Sequence, residues 1–225
     1  MTKPKGYVIY DGPSRLDGKP IIAILTLASA NIKTGNMAQL WIMARDEMPH
    51  VAKKNGNDSS VCGNCPIKEG CYLDLSKAPL AVWKGFHRGI YSTPNNHEIM
   101  ILKDYYIRFG AYGDGAALPV SILNSLASLA KDFTGYTHQW KRFKSMNKFF
   151  MASVESEKLA IQAQGKGFRT FRVRKPGTEL LPGEIECLSS AGVQCIDCRL
   201  CNGSKQARNI SIEAHGARKG AIAYV

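Results

Sequence analysis

From Tyr105 to Arg174 the chain alternates short β-type runs with helical ones, and that alternation limits the fold more than any other feature. YIRFGAY reads as a strand and GDGAALP as a turn. VSILNSLASLAKDF reads as an amphipathic helix with Ile122, Leu123, Leu126 and Leu129 at helical spacing. TGYTHQW is a second predicted strand, KRFKSMNK a short helix and FFMASV a third strand. SEKLAIQAQGKG is a further helix, with Ser156 as N-cap and Gly165 or Gly167 as its stop, and FRTFRV is a fourth strand. NISIEAHG and GAIAYV supply two more. Strands separated by helices of about ten to fifteen residues predict βαβ units, a mainly parallel sheet and an α/β fold class.

The first 45 residues are instead β-rich: KGYVIYD, IIAILTL and AQLWIMA are separated by Gly, Pro, Asn and Asp, with the polar turn SANIKTGNM between the last two. Residues 55–72 form a first cysteine loop, a helix is expected from Leu73 to Arg88, residues 105–175 hold the β/α repeats, and 187–203 form a second cysteine loop. No low-complexity linker divides the 225 residues, so a single domain is expected over 1–225. The N-terminal MTKPKGYVIYDG lacks an apolar signal core, and the longest apolar run, PIIAILTLASA, is too short to span a bilayer. The expectation is a cytoplasmic protein with reduced thiols and no membrane association.

Lys and Arg outnumber Asp and Glu by 30 to 18, a formal charge of +12. That surplus favours a polyanionic partner, nucleic acid first, through phosphate contacts; solubility alone is the plainer account. The basic residues gather in KRFK, in FRTFRVRK and in ARKG near the C-terminus. Lys141, Arg142, Lys144, Arg169 and Arg172 are the candidate nucleic-acid contacts. Arg169 and Arg172 alternate with aromatics, a pattern that suits phosphate binding or salt bridging at a sheet end.

Seven cysteines fall into two groups: Cys62, Cys65 and Cys71, then Cys187, Cys195, Cys198 and Cys201. Each group contains CxxC, which in a reducing compartment points to metal ligation rather than disulfides. Four cysteines close a tetrahedral zinc site or hold an iron–sulfur cluster unaided. Three leave one position open for a substrate or cofactor, or for a histidine such as His50, His87 or His97. In an α/β sheet, ligands gather beyond the carboxyl ends of the strands. Four polar groups are predicted there: Tyr112-Gly113-Asp114, Thr137-His138-Gln139, Ser153 with Glu155, and His215-Gly216. Asp114 serves a turn or a ligand, and His138 and His215 are inward structural histidines or catalytic groups. Tyr136 and Trp140 read as core.

SANIKTGNMAQLWIM, SVCGNCPIKEGCY, SKAPLAVW, YIRFGAYGDGAALP, TGYTHQW and GKGFRTFRV together resemble a family of bacteriophage and prophage proteins, some labelled rolling circle replication-associated. The resemblance runs from Tyr7 to about Gly203. Rolling-circle initiators use two histidines flanking one apolar residue, whereas all five histidines here are isolated. More distantly, three cysteines ahead of a helix and a Gly-Asp at a strand end are similar to radical S-adenosylmethionine enzymes, with CxxCx5C here where those have CxxxCxxC. That likeness implies an incomplete β/α barrel and a 4Fe-4S cluster on Cys62, Cys65 and Cys71. It also implies S-adenosylmethionine contacts at Gly113 and Asp114, with Ser153 and Glu155 at the next strand end, and an auxiliary cluster on the other four cysteines. The expected role is an enzyme acting on nucleic acid or nucleotides in phage DNA metabolism, with Asp114, His138 and His215 as catalytic candidates. The alternative is a zinc-stabilised nucleic-acid-binding protein that assists replication or counters the host.

Overall fold

The computed structural model describes residues 4–216 and 220. Apart from Gly220, the expected last strand GAIAYV and the basic ARKG lie outside the described residues.

Among the described residues nine strands form one sheet in the order β1-β2-β3-β4-β5-β6-β7-β9-β8. Strands β1 (Gly6–Pro13), β2 (Pro20–Thr26) and β3 (Ala38–Ala44) pair antiparallel, in register from Gly6 opposite Thr26 and from Ile21 opposite Ala44. From β3 onward every pairing is parallel: β4 (Tyr106–Tyr112), β5 (Asp132–Thr137), β6 (Met151–Val154), β7 (Thr170–Arg174), β9 (Asn209–Glu213) and β8 (Glu184–Glu186). This is the mixed α/β architecture expected, with the antiparallel part at the N-terminus. The order advances in one direction from β3 to β7. In such an order right-handed crossovers are the rule, and they put successive connecting helices on the same face of the sheet.

Side-chain alternation sorts the two faces. Ile107, Phe109, Phe133, Ala152 and Val154 join the main core together with Leu123 and Leu126 of α4 (Val120–Leu129) and Ala160 and Ala163 of α5 (Glu157–Gly165). Phe109 stacks on Phe133 at 4.8 Å and meets Phe150 edge-on at 6.1 Å. Ser156 caps α5 by accepting from the Leu159 N–H, as its sequence position predicts.

Several boundaries differ from the sequence reading, each for a local reason. The expected helix Leu73–Arg88 is shorter, Ala78–His87, because Pro79 fits only the first turn. Ahead of it Asp74 folds the chain by accepting from the Ser76 N–H. Two helices precede it, at Pro49–Asn55 and Ser59–Cys62, the second inside the stretch read as loop. In place of the end of the TGYTHQW strand and the KRFKSMNK helix, the chain makes 3-10 turns at Gln139–Lys141 and Lys144–Lys148. Strand β5 begins at Asp132, earlier than expected, because Phe133 packs on Phe109. It stops at Thr137, so His138 leaves the sheet. Among the described residues no helix is long and apolar enough to cross a membrane.

Candidate functional site

The face of the parallel strands turned away from the core cluster lines a cavity of about 260 Å³. Arg108, Gly110 and Tyr112 come from β4, Thr134 and Tyr136 from β5, Phe171 and Val173 from β7, and Ile212 from β9. At the carboxyl ends of these strands Gly113, Asp114, His138, Ser153 and His215 reach the same cavity. The placement expected from strand register therefore brings these residues together.

Cys62, Cys65 and Cys71 also line it, as do Cys187 and Cys195 of the second loop. None of the seven cysteines is in a disulfide. The first loop is pinned where it crosses the strand ends. The Asp114 N–H donates to the Val61 carbonyl at 2.6 Å, Gln139 Nε2 donates to the Cys62 carbonyl at 3.1 Å, and Lys68 pairs with the buried Asp58 at 2.5 Å. Burial, with Cys65, Asp58 and Cys71 as negative neighbours, pushes the Cys62 thiol well above its usual pKa. Among the described residues no group of three or more His, Cys, Asp or Glu side chains is set to hold a metal ion as the chain stands.

Cys65 is the first member of a polar chain. Its Sγ lies 3.4 Å from His138 Nδ1, and His138 Nε2 lies 2.9 Å from Glu155 Oε1. Burial works against the imidazolium, but Cys65 and Glu155 on either side outweigh it and raise His138 to about 10. Glu155 is almost wholly buried, and its second oxygen, Oε2, has no hydrogen-bond partner. The Tyr112 hydroxyl, on the cavity wall, is likewise buried and without a partner. Its pKa rises through burial and then through Cys62 and Asp58.

The expected cofactor residues divide. Gly113 has φ +80°, and a Cβ there would sit 2.5 Å from the Ile42 carbonyl oxygen, so its glycine is explained by the close approach of β3. The Asp114 carboxylate accepts from Ala116 N, Thr137 Oγ1 and His138 N at 2.8–3.0 Å and ties two strand-end turns together. Its pKa is raised because burial exceeds the effect of those bonds. Ser153 borders the cavity, and Glu155 backs His138 from a second cavity. His215 is exposed and stacks on Tyr72 at 6.3 Å; Tyr72 Oη accepts from Arg108 Nη2 at 2.5 Å. These contacts link β4, the first cysteine loop and the chain beyond β9 across the mouth.

The second loop is held from three sides. Cys195 N and Ile196 N donate to the carbonyls of Lys33 and Thr34, and Gln194 Nε2 donates to that of Ile32, so the SANIKTGNM turn is its cradle. Asp132 receives Asn202 Nδ2 and Lys205 Nζ. A Cβ on Gly203 would lie 2.5 Å from the backbone of Phe150. Cys201 is buried beside Met151 and Ile210, and burial drives its thiol up to about 12.

Two expected nucleic-acid contacts are corrected by the packing. Arg172 is buried and pairs with Glu184 at 2.6 Å. The Arg169 guanidinium donates to the carbonyls of Leu200, Asn202, Ala207 and Arg208. Both guanidinium groups brace the fold, Arg172 buried and Arg169 half-buried. Lys141, Arg142 and Lys144 are exposed, and the guanidinium groups of Arg142 and Arg15 lie over the Phe143 ring, 4.8 and 4.6 Å from its centroid. Trp140 is core as expected, but Tyr136 belongs to the cavity wall. Tyr112 lines the cavity as its strand-end cluster predicts, whereas Arg108, Tyr72 and Tyr136 are site residues that the sequence reading does not single out. The alternation of YIRFGAY and TGYT carries the signal for two of them, since it puts Arg108 and Tyr136 on the face opposite Phe109 and Phe133. Set against protein-family models, curated proteins and solved structures, the chain matches none.

Proposed function

We propose that the protein is a phage-encoded iron–sulfur enzyme of the host cytoplasm, acting on nucleic acid or nucleotides, built on an incomplete β/α barrel similar to that of radical S-adenosylmethionine enzymes. The observation that carries this reading is the convergence of Cys62, Cys65 and Cys71 on one cavity at the carboxyl ends of the parallel strands. The donor set suits a cluster: three thiols outside any disulfide, on a loop pinned to the strand ends, around a space whose wall holds an unpartnered hydroxyl. A 4Fe-4S cluster with three protein ligands supplies single electrons and keeps one iron open to a ligand.

The chain's own residues define the rest. Phe171, Val173 and Ile212 give an apolar wall that excludes water, and Arg108 offers a cation to an anionic ligand group. The Tyr112 hydroxyl offers a hydrogen bond that nothing in the fold uses. His138, held by Glu155, points its other nitrogen at the Cys65 sulfur, as residues behind a ligand do when they tune it. Cys187, Cys195, Cys198 and Cys201 are the donors for a second centre, iron–sulfur or zinc. S-adenosylmethionine fits less well. Gly113 is filled by β3 and the Asp114 carboxylate is committed inside the fold, so neither presents a free group to the cofactor's amino end.

The test is purification without oxygen. The expected product is brown, absorbs broadly near ~400 nm and contains iron and sulfide, all lost in a Cys62→Ala/Cys65→Ala/Cys71→Ala variant. Colourless protein with stoichiometric zinc would overturn the cluster and support the zinc-stabilised nucleic-acid-binding alternative. A second reading is favoured by the spacing of Cys65, His138 and Glu155, which is that of a nucleophile, a base and the group that orients it. Metal-free protein in which one equivalent of iodoacetamide labels Cys65, and in which His138→Ala slows the labelling, would select that reading.

A further inference from the structure

Behind His138 lies a second cavity, of about 380 Å³, bounded by Asn64, Pro66, Lys141, Glu155, Ser156 and Lys158. Its volume is at the small end of the range for small-molecule sites, about 300–1,000 Å³. Three of its features are independent of one another. Lys141 and Lys158 are exposed, and the described salt bridges give neither a carboxylate partner. Ser156 opens the nine-residue helix α5, whose first-turn N–H groups and dipole favour an anion. Glu155 lines the cavity, and its Oε2 is buried with no donor in the fold, while Oε1 is held by His138.

A buried carboxylate oxygen without a donor is costly, and a ligand that supplies an N–H or O–H relieves it. The occupant therefore carries an anionic group for the lysines and helix terminus and a donor for Glu155. We propose that this cavity receives one nucleotide, with its phosphate between Lys141, Lys158 and the start of α5, and a base N–H or sugar hydroxyl on Glu155 Oε2. A nucleotide has both groups on one rigid framework. The exposed Arg142 and Lys144, next to Lys141 in the chain, continue the positive surface away from the cavity, where adjoining phosphates of a strand would lie. The choice of ligand class draws on the proposed role in nucleic-acid chemistry; the cavity and its unpaired groups do not. His138 and Ser153 border both cavities, so the bound nucleotide would share a wall with the cysteine-lined space.

The test uses the full chain, purified without oxygen, titrated with the ribonucleoside monophosphates and with a short single-stranded oligonucleotide. Binding of either supports the site, and the stronger of the two identifies a free nucleotide or one within a strand as its source. Lys141→Ala/Lys158→Ala is expected to weaken binding about tenfold or more, whereas Lys166→Ala, which removes an exposed charge at the other end of α5, leaves it unchanged. Glu155→Gln keeps an oxygen for His138 and turns an NH2 toward the cavity, so it is expected to change the order of base preference. The inference is overturned if no nucleotide binds, if inorganic phosphate or free methionine competes as well as the nucleotide, or if the double lysine variant binds like the parent. Iron is assayed on the same samples. Full iron without nucleotide binding sinks this inference alone, and nucleotide binding without iron sinks only the cluster.

Discussion

At the scale of single residues, the fold contains ionic groups whose role depends wholly on what faces them. Arg172 and Glu184 are both buried and answer each other at 2.6 and 2.8 Å. Removing one partner leaves the other charged and dry, so Arg172→Ala is expected to cost about 3–5 kcal/mol in urea unfolding. Replacing both, as Arg172→Met/Glu184→Leu, is expected to restore most of that. A double variant as unstable as the single one would show that the loss comes from packing rather than from an orphaned charge. The sequence shows Arg172 after Phe171, in a stretch where arginines alternate with aromatics, and leaves phosphate binding and salt bridging equally open. Only the arrival of Glu184 from the next strand decides it, and a pairing across 12 positions leaves no local pattern to read.

At the scale of elements, the second cysteine loop has little regular structure and is held by side chains from elsewhere. Asp132 at the start of β5 is one such anchor, bonded to Asn202 and Lys205. Burial opposes its charge, but the Lys205 and Asn202 bonds prevail and its pKa falls below the ordinary 3.8. A lowered carboxylate pKa stabilises the fold above the unfolded-state value and stops doing so as pH falls through the folded value. The melting temperature is therefore expected to drop below pH 3.8 more steeply in the parent than in Asp132→Asn, with the two curves converging at the acid end. Parallel curves would remove Asp132 as an anchor. The element pattern of 105–174 was legible because each strand and helix has its own periodicity. The four-residue helices Ser59–Cys62 and Cys195–Cys198 were not, since one turn has no period and is fixed by its neighbours.

At the scale of the whole molecule, the charge of +12 has a surface component and an internal one. Arg172 is buried and Arg169 half-buried with its guanidinium on backbone carbonyls, whereas Lys141, Arg142 and Lys144 are exposed. Oligonucleotide affinity is expected to fall steeply with salt, and Lys141→Ala/Lys144→Ala to reduce the log–log slope by about 1.4 for single strands. Arg169→Lys, by contrast, is expected to leave that slope unchanged. A slope insensitive to both lysines would place the polyanion elsewhere. The sequence by itself determined the α/β class, the β-rich start, and the strand ends at which Asp114, His138, Ser153 and His215 would gather, because periodicity and turn chemistry are local. Only the tertiary structure decided that Tyr136 and Arg108 face a cavity, that Arg172 is buried against Glu184 and the half-buried Arg169 is spent on backbone carbonyls, and that Cys65, His138 and Glu155 form one chain. Those outcomes depend on which distant residues the sheet order brings together, and long-range contact is not encoded in any short stretch of residues.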